Sequence, residues 1–562
     1  MTDAELAGTM MHGSLAAPDN PSGASSIGYE AEAARHAIVD LHVSSFITRL
    51  TVTPERMAEE NNRIQTIARE GRLGVPITIS SDPRNHFQAV LGASSVSNGY
   101  SQWPETLGFA ALRDPLLTRR FADIVRAEYR ASGIHMALSP QADLFTEPRW
   151  SRGVGTFGDD AAVAREQVKA YIEGFQGGAT GLAANGVAAV VKHWVGYGAA
   201  PEGFDGHNRY GRFSRLDNAA LDLHIQPFLG AFEAGVAGVM PTYNILVGPT
   251  INGQPLEPVA AGYNAQLLEL LRRRYGYDGM ILSDWGITRD CAAECVSPTR
   301  PHGPGDIAMP WGVEALSPVE RYAKAINAGI DQFGGVVEPD HVLEALRLGL
   351  VSRDRLRDAS ANILEIKFRM GLFENALVDP KESSKINTPE IAAEGRRAQA
   401  EAQVLIKDDG RLLPLRAGTR VWLINVDPAA ARAAGLMPVE RIEDATVAIV
   451  HSSTPFERLH PLHFFGSRQN EGRLDFRPGE PGYEAIASAA ATLPVIATIF
   501  ADRPPVLTAI EPKTSVILLN FGASDSAIFD VLSGSVAPRG ELPFRLPNSV
   551  TEVEQQNPAL SD

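Results

Sequence analysis

At 562 residues the chain is too long for one compact core, and its length alone allows roughly three or four domains, fewer if one is a barrel. An apolar share of 44% and a charged share of 21% are those of a folded globular protein, not of a disordered or membrane-embedded one. Acidic residues outnumber basic ones by 67 to 51, a net charge of −16 with no basic stripe, which argues against a nucleic-acid partner.

The start, Met1-Thr2-Asp3-Ala4-Glu5, lacks the basic-then-apolar pattern of a secretory leader, and no apolar run approaches the ~18 residues of a membrane span. The expected location is cytoplasmic, or periplasmic if a leader has been trimmed. From about residue 30 to 370, helical stretches alternate with short apolar runs. Strands are predicted over 75–80, 134–139, 187–191, 236–240, 280–283 and 330–333, and amphipathic helices over 115–132, 161–176 and 263–275. Runs apolar on both faces and separated by helices indicate a parallel sheet buried on both sides. Repeated this often, they favour a (β/α)8 barrel, assigned to residues 1–373. Residues 374–395 are polar, with Pro380, Lys381, Ser383 and Ser384, and read as a linker. The pattern restarts over 421–425, 446–451, 494–500 and 515–520, with helices over 482–492 and 524–533. Residues 396–562 are therefore expected to form a smaller α/β domain, with a polar tail after Pro547.

The predicted strand ends carry the chemistry. Tyr277-Asp278-Gly279-Met280-Ile281-Leu282-Ser283-Asp284-Trp285-Gly286 is an apolar strand that delivers a carboxylate and an indole at its C-terminal tip, where such barrels keep their active sites. Asp82 follows the run ending in Ser80-Ser81, Lys192-His193 follow 187–191, and Tyr243 follows 236–240. Arg152 comes shortly after 134–139. Each has a bland reading: a helix-capping Asp beside a core Trp, a surface Lys, a salt-bridged Arg. Together on one rim they suit a polyhydroxylated ligand, with carboxylates and His accepting, Lys and Arg donating, and Trp stacking on a C–H face. Gly153-Val154-Gly155-Thr156-Phe157-Gly158 fits GxGxxG but follows Arg149-Trp150-Ser151-Arg152 instead of a strand, so no dinucleotide turn is expected. Cys291 and Cys295 are too few for a structural zinc site. They read as reduced, inert thiols, with a local redox clip beside the Asp284 loop as the alternative.

In this order, EPRWSRGVGTFGDD (147–160), VVKHWVGYG (190–198), GVMPTYN (238–244), GYDGMILSDWG (276–286), EAQVLIKDDGRLLPL (401–415) and GELPFRLP (540–547) resemble glycoside hydrolase family 3, the β-glucosidase and exo-glucanase group. The resemblance spans nearly the whole chain and leaves no stretch for the fibronectin-like domain of longer members. It implies Asp284 as nucleophile, and Asp82, Arg152, Lys192 and His193 as holders of the innermost sugar. Tyr243, Trp285 and Arg289 are implied as flanking substrate-binding residues. Pro83-Arg84-Asn85-His86 stands where many members have Glu-Gly-Gly, Trp-Ser-Arg replaces Trp-Gly-Arg, and Trp194 replaces a common Phe. These departures bear on sugar and aglycone preference.

The proton donor is less constrained. By resemblance to the family's Pro-aromatic-Glu element the first choice is Glu457, on a loop of the second domain, with Glu471 on the same loop as a backup. A competing dyad is Asp205-Gly206-His207, similar to the Asp-x-His acid/base of the family's N-acetylglucosaminidases, with somewhat longer spacing. The expected activity is that of a retaining exo-acting β-glycosidase, a β-glucosidase first and a β-xylosidase or β-N-acetylglucosaminidase as alternatives. A non-catalytic sugar-binding protein is the remote reading. No cofactor or metal is implied. The expected partner is a small oligosaccharide or an aryl or alkyl β-glycoside, with no membrane partner and a homodimer allowed.

Overall fold

The computed structural model describes residues 1–20, 24–90 and 93–560. Eight parallel strands close into a barrel: β1 (Met11–Ser14), β2 (Ser45–Ile47), β3 (Thr78–Ser81), β4 (Met136–Ala137), β5 (Ala188–Trp194), β6 (Gly238–Pro241), β7 (Met280–Trp285) and β8 (Gln332–Gly334). Each pairs in parallel with its neighbour in sequence, and β8 returns to β1. Six of these strands follow the predicted runs. β1 and β2 were not expected, because Met-His-Gly-Ser and Ser-Phe-Ile are too short and mixed to show a pattern.

The surrounding helices begin where their caps dictate. Thr53, Asp114, Asp160, Asp217, Ser317 and Ser352 each accept a hydrogen bond from a backbone N–H of the first turn, and proline follows the cap in three of them. The helix predicted over 263–275 is short, Ala265–Glu269, and continues as a π turn through Arg274. At the N-terminal end of the barrel, Lys367 is buried but satisfied. Its Nζ donates to Ser44 O (2.6 Å), Pro76 O (3.1 Å) and Thr78 Oγ1 (2.7 Å), tying the last barrel helix under β2 and β3. A buried ammonium with three protein acceptors is a structural part.

The expected linker is strapped to the barrel, with Asn62 Nδ2 donating to Val378 O (2.7 Å) and Val378 N to Asn62 Oδ1 (2.9 Å); the helix Pro389–Glu401 begins inside it. The second sheet contains β9 (Val404–Asp408), β10 (Arg420–Ile424), β11 (Met437–Pro438), β12 (Val447–Ser453), β13 (Val495–Phe500) and β14 (Val516–Asn520), in the order β9-β14-β13-β12-β10-β11. Only β9 runs antiparallel to its neighbour. The tail returns to the barrel, where Thr146 Oγ1 donates to Pro558 O (2.8 Å) and Gln556 Nε2 to Thr146 O (2.9 Å).

The GxGxxG segment forms a 3-10 turn, Gly153–Gly155, and packs between the domains. A Cβ on Gly153 would lie 2.2 Å from the Phe145 ring. One on Gly158, whose φ is +84°, would lie 2.1 Å from Pro543 O. These glycines serve close approach and not a phosphate. Gly158→Ala is therefore expected to cost at least about 2 kcal/mol, from left-handed backbone and a rigid backbone clash. A thermal melt that matches the parent would overturn this account of the interface.

The two cysteines depart from the expectation of inert thiols. Cys291 and Cys295 form a disulfide, with Cα atoms 5.2 Å apart. Cys295 sits in the short helix Ala293–Val296 and Cys291 in the segment that enters it, and the chain reversal at the helix start brings the two together.

Candidate active site

The C-terminal strand ends open into a cavity of about 490 Å³. Asp82, Lys192, His193, His207, Tyr243, Asp284, Trp285 and Arg289 all line it, so the barrel brings together most of the sequence-predicted residues. Arg49, Phe464 and Phe465 line it too, and sequence reasoning missed all three. Arg49 lies two residues beyond β2, a strand too short to flag, and Phe464 and Phe465 come from the second domain.

Asp284 is the centre of the arrangement. The Tyr243 hydroxyl donates to its Oδ1 (2.6 Å), as does the Trp285 N–H (2.8 Å). Oδ2 is buried with no hydrogen-bond partner, and His193 Nε2 stands 3.7 Å from it. Burial raises the Asp284 pKa above the usual carboxylate value. The opposing pull of His207, the Tyr243 and Trp285 donors and Lys192 limits that rise. One oxygen is thus fixed and the other left open, the division of labour a nucleophilic carboxylate needs.

His193 is held as a neutral ring. Its Nδ1 is 2.8 Å from Asp143 Oδ2, and Arg152 Nη2 is 3.4 Å from its Nε2. A guanidinium only donates, so Nε2 accepts and the ring proton sits on Nδ1. Burial drives the His193 pKa well below its ordinary value and pushes Asp143 up to about 7. Arg152 does not line the main cavity. It stands behind His193, over the Tyr197 ring at 5.6 Å, and borders a smaller adjoining cavity that shares Lys192.

Lys192 contrasts with Lys367. Its nearest carboxylate oxygen is Asp82 Oδ1 at 3.6 Å, and Arg49 Nη1 is 3.9 Å from Asp82 Oδ2. Burial lowers the Lys192 pKa, offset by Asp82 and Asp284. Two cations and a carboxylate, with Lys192 and Asp82 buried and Arg49 partly so, all stand beyond hydrogen-bond contact with each other and leave donors and acceptors free for hydroxyl groups. The segment after Asp82 departs from the family pattern for a packing reason. Arg84 donates to Ser81 Oγ (3.0 Å), Asn85 to Glu128 (2.7 Å), and His86 Nδ1 pairs with Pro104 O (2.7 Å), all buried.

Opposite Asp284 lies a second pair. His207 Nδ1 is 2.5 Å from Asp205 Oδ1, which also accepts from the His207 N–H (2.8 Å) and the Tyr197 hydroxyl (2.7 Å). Burial works against an ionised Asp205. The His207 charge and hydrogen bonds, with Arg152, outweigh it and hold the carboxyl below its ordinary range. The His207 ring is packed between Tyr243 at 4.5 Å and Phe465 at 3.9 Å, centroid to centroid. Glu457 and Glu471 do not line the cavity. Glu457 is half-exposed and accepts from the Arg473 N–H (3.3 Å). Glu471 is buried, taking the Tyr210 hydroxyl (2.7 Å) and His460 Nδ1 (3.0 Å).

The family model for the glycosyl hydrolase family 3 N-terminal domain matches residues 26–366. A periplasmic β-glucosidase/β-xylosidase of Dickeya chrysanthemi is 47% identical across 100% of this chain and 86% of its own length. β-Glucosidase C of Emericella nidulans is 36% identical across 99% and 87%. A β-glucosidase structure from Erythrobacter marinus superposes with a TM-score of 0.77 over 98% of this chain and 77% of its own, at 22% identity. A β-N-acetylglucosaminidase from Paenibacillus does so with 0.74 over 98% and 100%, at 21% identity. The two structures speak to fold alone, but the family model and the relatives above 30% identity carry the assignment: the chain belongs to glycoside hydrolase family 3 and is a glycoside hydrolase.

Proposed function

We propose that the chain is a retaining, exo-acting β-glucosidase in which Asp284 is the nucleophile and His207, held by Asp205, is the acid/base. The observation that carries this reading is the shared cavity: the open Oδ2 of Asp284 and the imidazole of His207 face the same space, while both glutamates expected as donors lie outside its lining.

With Nδ1 committed to Asp205, the proton of His207 Nε2 passes to the glycosidic oxygen as the C–O bond breaks. Asp284 Oδ2 bonds to the anomeric carbon, giving a covalent glycosyl ester, and the neutral imidazole then takes a proton from the water that resolves it. Asp205 stays ionised throughout and stabilises the imidazolium. Asp82, Lys192, Arg49 and His193 would hold the sugar hydroxyls, with Trp285 against its apolar face.

The names of the two relatives support glucosides first and xylosides second. A second reading, N-acetylglucosaminide, draws on the Asp205–His207 pair itself and on the Paenibacillus neighbour. A panel of aryl β-glycosides separates them by the sugar turned over fastest. For location, a disulfide fits an oxidising compartment and the Dickeya relative is named periplasmic, so periplasmic is the reading favoured over the cytoplasmic one first expected. Among the described residues no helix is long and apolar enough to cross a membrane.

A 2-deoxy-2-fluoro-β-glucoside should label the protein on Asp284, and Asp284→Ala should remove nearly all hydrolysis with the fold kept. A label on another carboxylate would sink the assignment. His207→Ala should cripple cellobiose hydrolysis yet spare glycosylation by dinitrophenyl β-glucoside, which needs little protonation, and azide should speed its turnover. If Glu457→Ala behaves this way instead, the donor is Glu457. Tyr243→Phe removes a donor from the Asp284 carboxylate, worth about 1.5–3 kcal/mol, so kcat/KM should fall roughly ten- to hundred-fold. Because that donor favours the ionised form, its loss raises the Asp284 pKa and moves the acidic limb of the rate profile to higher pH. An unmoved acidic limb would show that Tyr243 does not tune Asp284.

A further inference from the structure

Asp205 has two oxygens, and the barrel satisfies only one. Oδ1 takes His207 and Tyr197, whereas Oδ2 takes the side-chain amide of Gln469, 264 residues away in the second domain, at 2.6 Å. Gln469 is buried, and its other amide atom, Oε1, has no hydrogen-bond partner, so the side chain makes this one contact. Its backbone N–H bonds Phe465 O (2.8 Å). The donor to Asp205 and the ring against His207 therefore belong to one turn. Around that turn the two domains meet at further points. Tyr210 and His460 stack at 3.6 Å, and both bond Glu471.

We infer that Gln469 is a positioning residue for the acid/base pair: the second domain, through one neutral amide, fixes the Asp205 carboxylate that orients His207, so that proton donation depends on domain docking. The inference rests on His207 being the acid. A neutral donor suits the task on chemical grounds. A lysine or arginine here would hold Asp205 just as firmly but would drain the negative charge that stabilises an imidazolium, and an amide orients at a smaller loss. The titratable and charged groups already facing the pair are Tyr197, Arg152, His193, Asp284, Tyr243 and Tyr210, contributed by the barrel.

Gln469→Leu keeps the bulk and removes the donor. On cellobiose its kcat/KM should fall about tenfold through kcat, with KM little changed, while glycosylation by dinitrophenyl β-glucoside stays within about twofold. With one donor gone Asp205 becomes more basic, so the alkaline limb of the cellobiose profile, where the acid loses its proton, should move upward by roughly 0.5–1 pH unit. Gln469→Glu should recover cellobiose activity only at low pH, where the new carboxyl is protonated and can donate. His207→Ala run beside them separates the two ideas. If it is crippled on cellobiose while Gln469→Leu matches the parent in rate and pH profile, the positioning role is overturned and the acid assignment stands. If His207→Ala itself keeps full activity on cellobiose, both fall. Equal losses on both substrates with a lowered melting temperature would mark Gln469 as structural and overturn the inference as well.

Discussion

A buried carboxylate that the proposed mechanism needs in its ionised form is the constraint around which this site is built. Burial alone pushes Asp284 toward its neutral form, which cannot attack. Everything within reach answers that push: the Tyr243 hydroxyl and the Trp285 N–H on one oxygen, and the fields of His207 and Lys192 beyond. None of these groups bonds the second oxygen. Stabilisation from one side favours the ionised form and leaves the other oxygen open, and that one-sidedness depends on the barrel, since the donors come from Tyr243, just beyond β6, and Trp285 of β7, while Lys192 stands on β5.

The same principle separates the two ends of the barrel. Lys367 and Lys192 are both buried ammonium groups near strand ends. One has three oxygen acceptors within 3.1 Å and the other a lone carboxylate at 3.6 Å. A buried polar group that its own chain satisfies is architecture, and one left short is waiting for a ligand. That criterion supports the proposed sugar-holding role of Lys192 and Asp82, whose nearest charged partners stand beyond hydrogen-bond distance.

Much of the cavity's lining was legible in the sequence, and what was not legible has physical causes. Strand-end placement marked Asp284, Lys192 and Tyr243 because β5, β6 and β7 are apolar on both faces and end in abrupt polarity. Arg49 escaped because β2 is three residues long and its pattern cannot be told from a loop. Asp143 escaped because its role is to bind the far nitrogen of His193, a partnership across 50 residues that no local spacing encodes. The disulfide was missed because two cysteines four apart look alike in sequence whether or not the chain folds them together. Glu457 drew attention through its sequence neighbours, Pro455 and Phe456, whereas the side chains of that loop that line the cavity are Phe464 and Phe465.

The strap between Asp205 and Gln469 also orders events in time. The barrel is synthesised first and carries most of the residues that line the cavity, whereas Phe464 and Phe465, which complete the lining, follow with the second domain. The amide that steadies Asp205 emerges 264 residues later and arrives only once the second sheet has folded onto the first domain. The long reach of this contact makes its formation slow relative to local structure, and it acts as a completion signal written into the chain order.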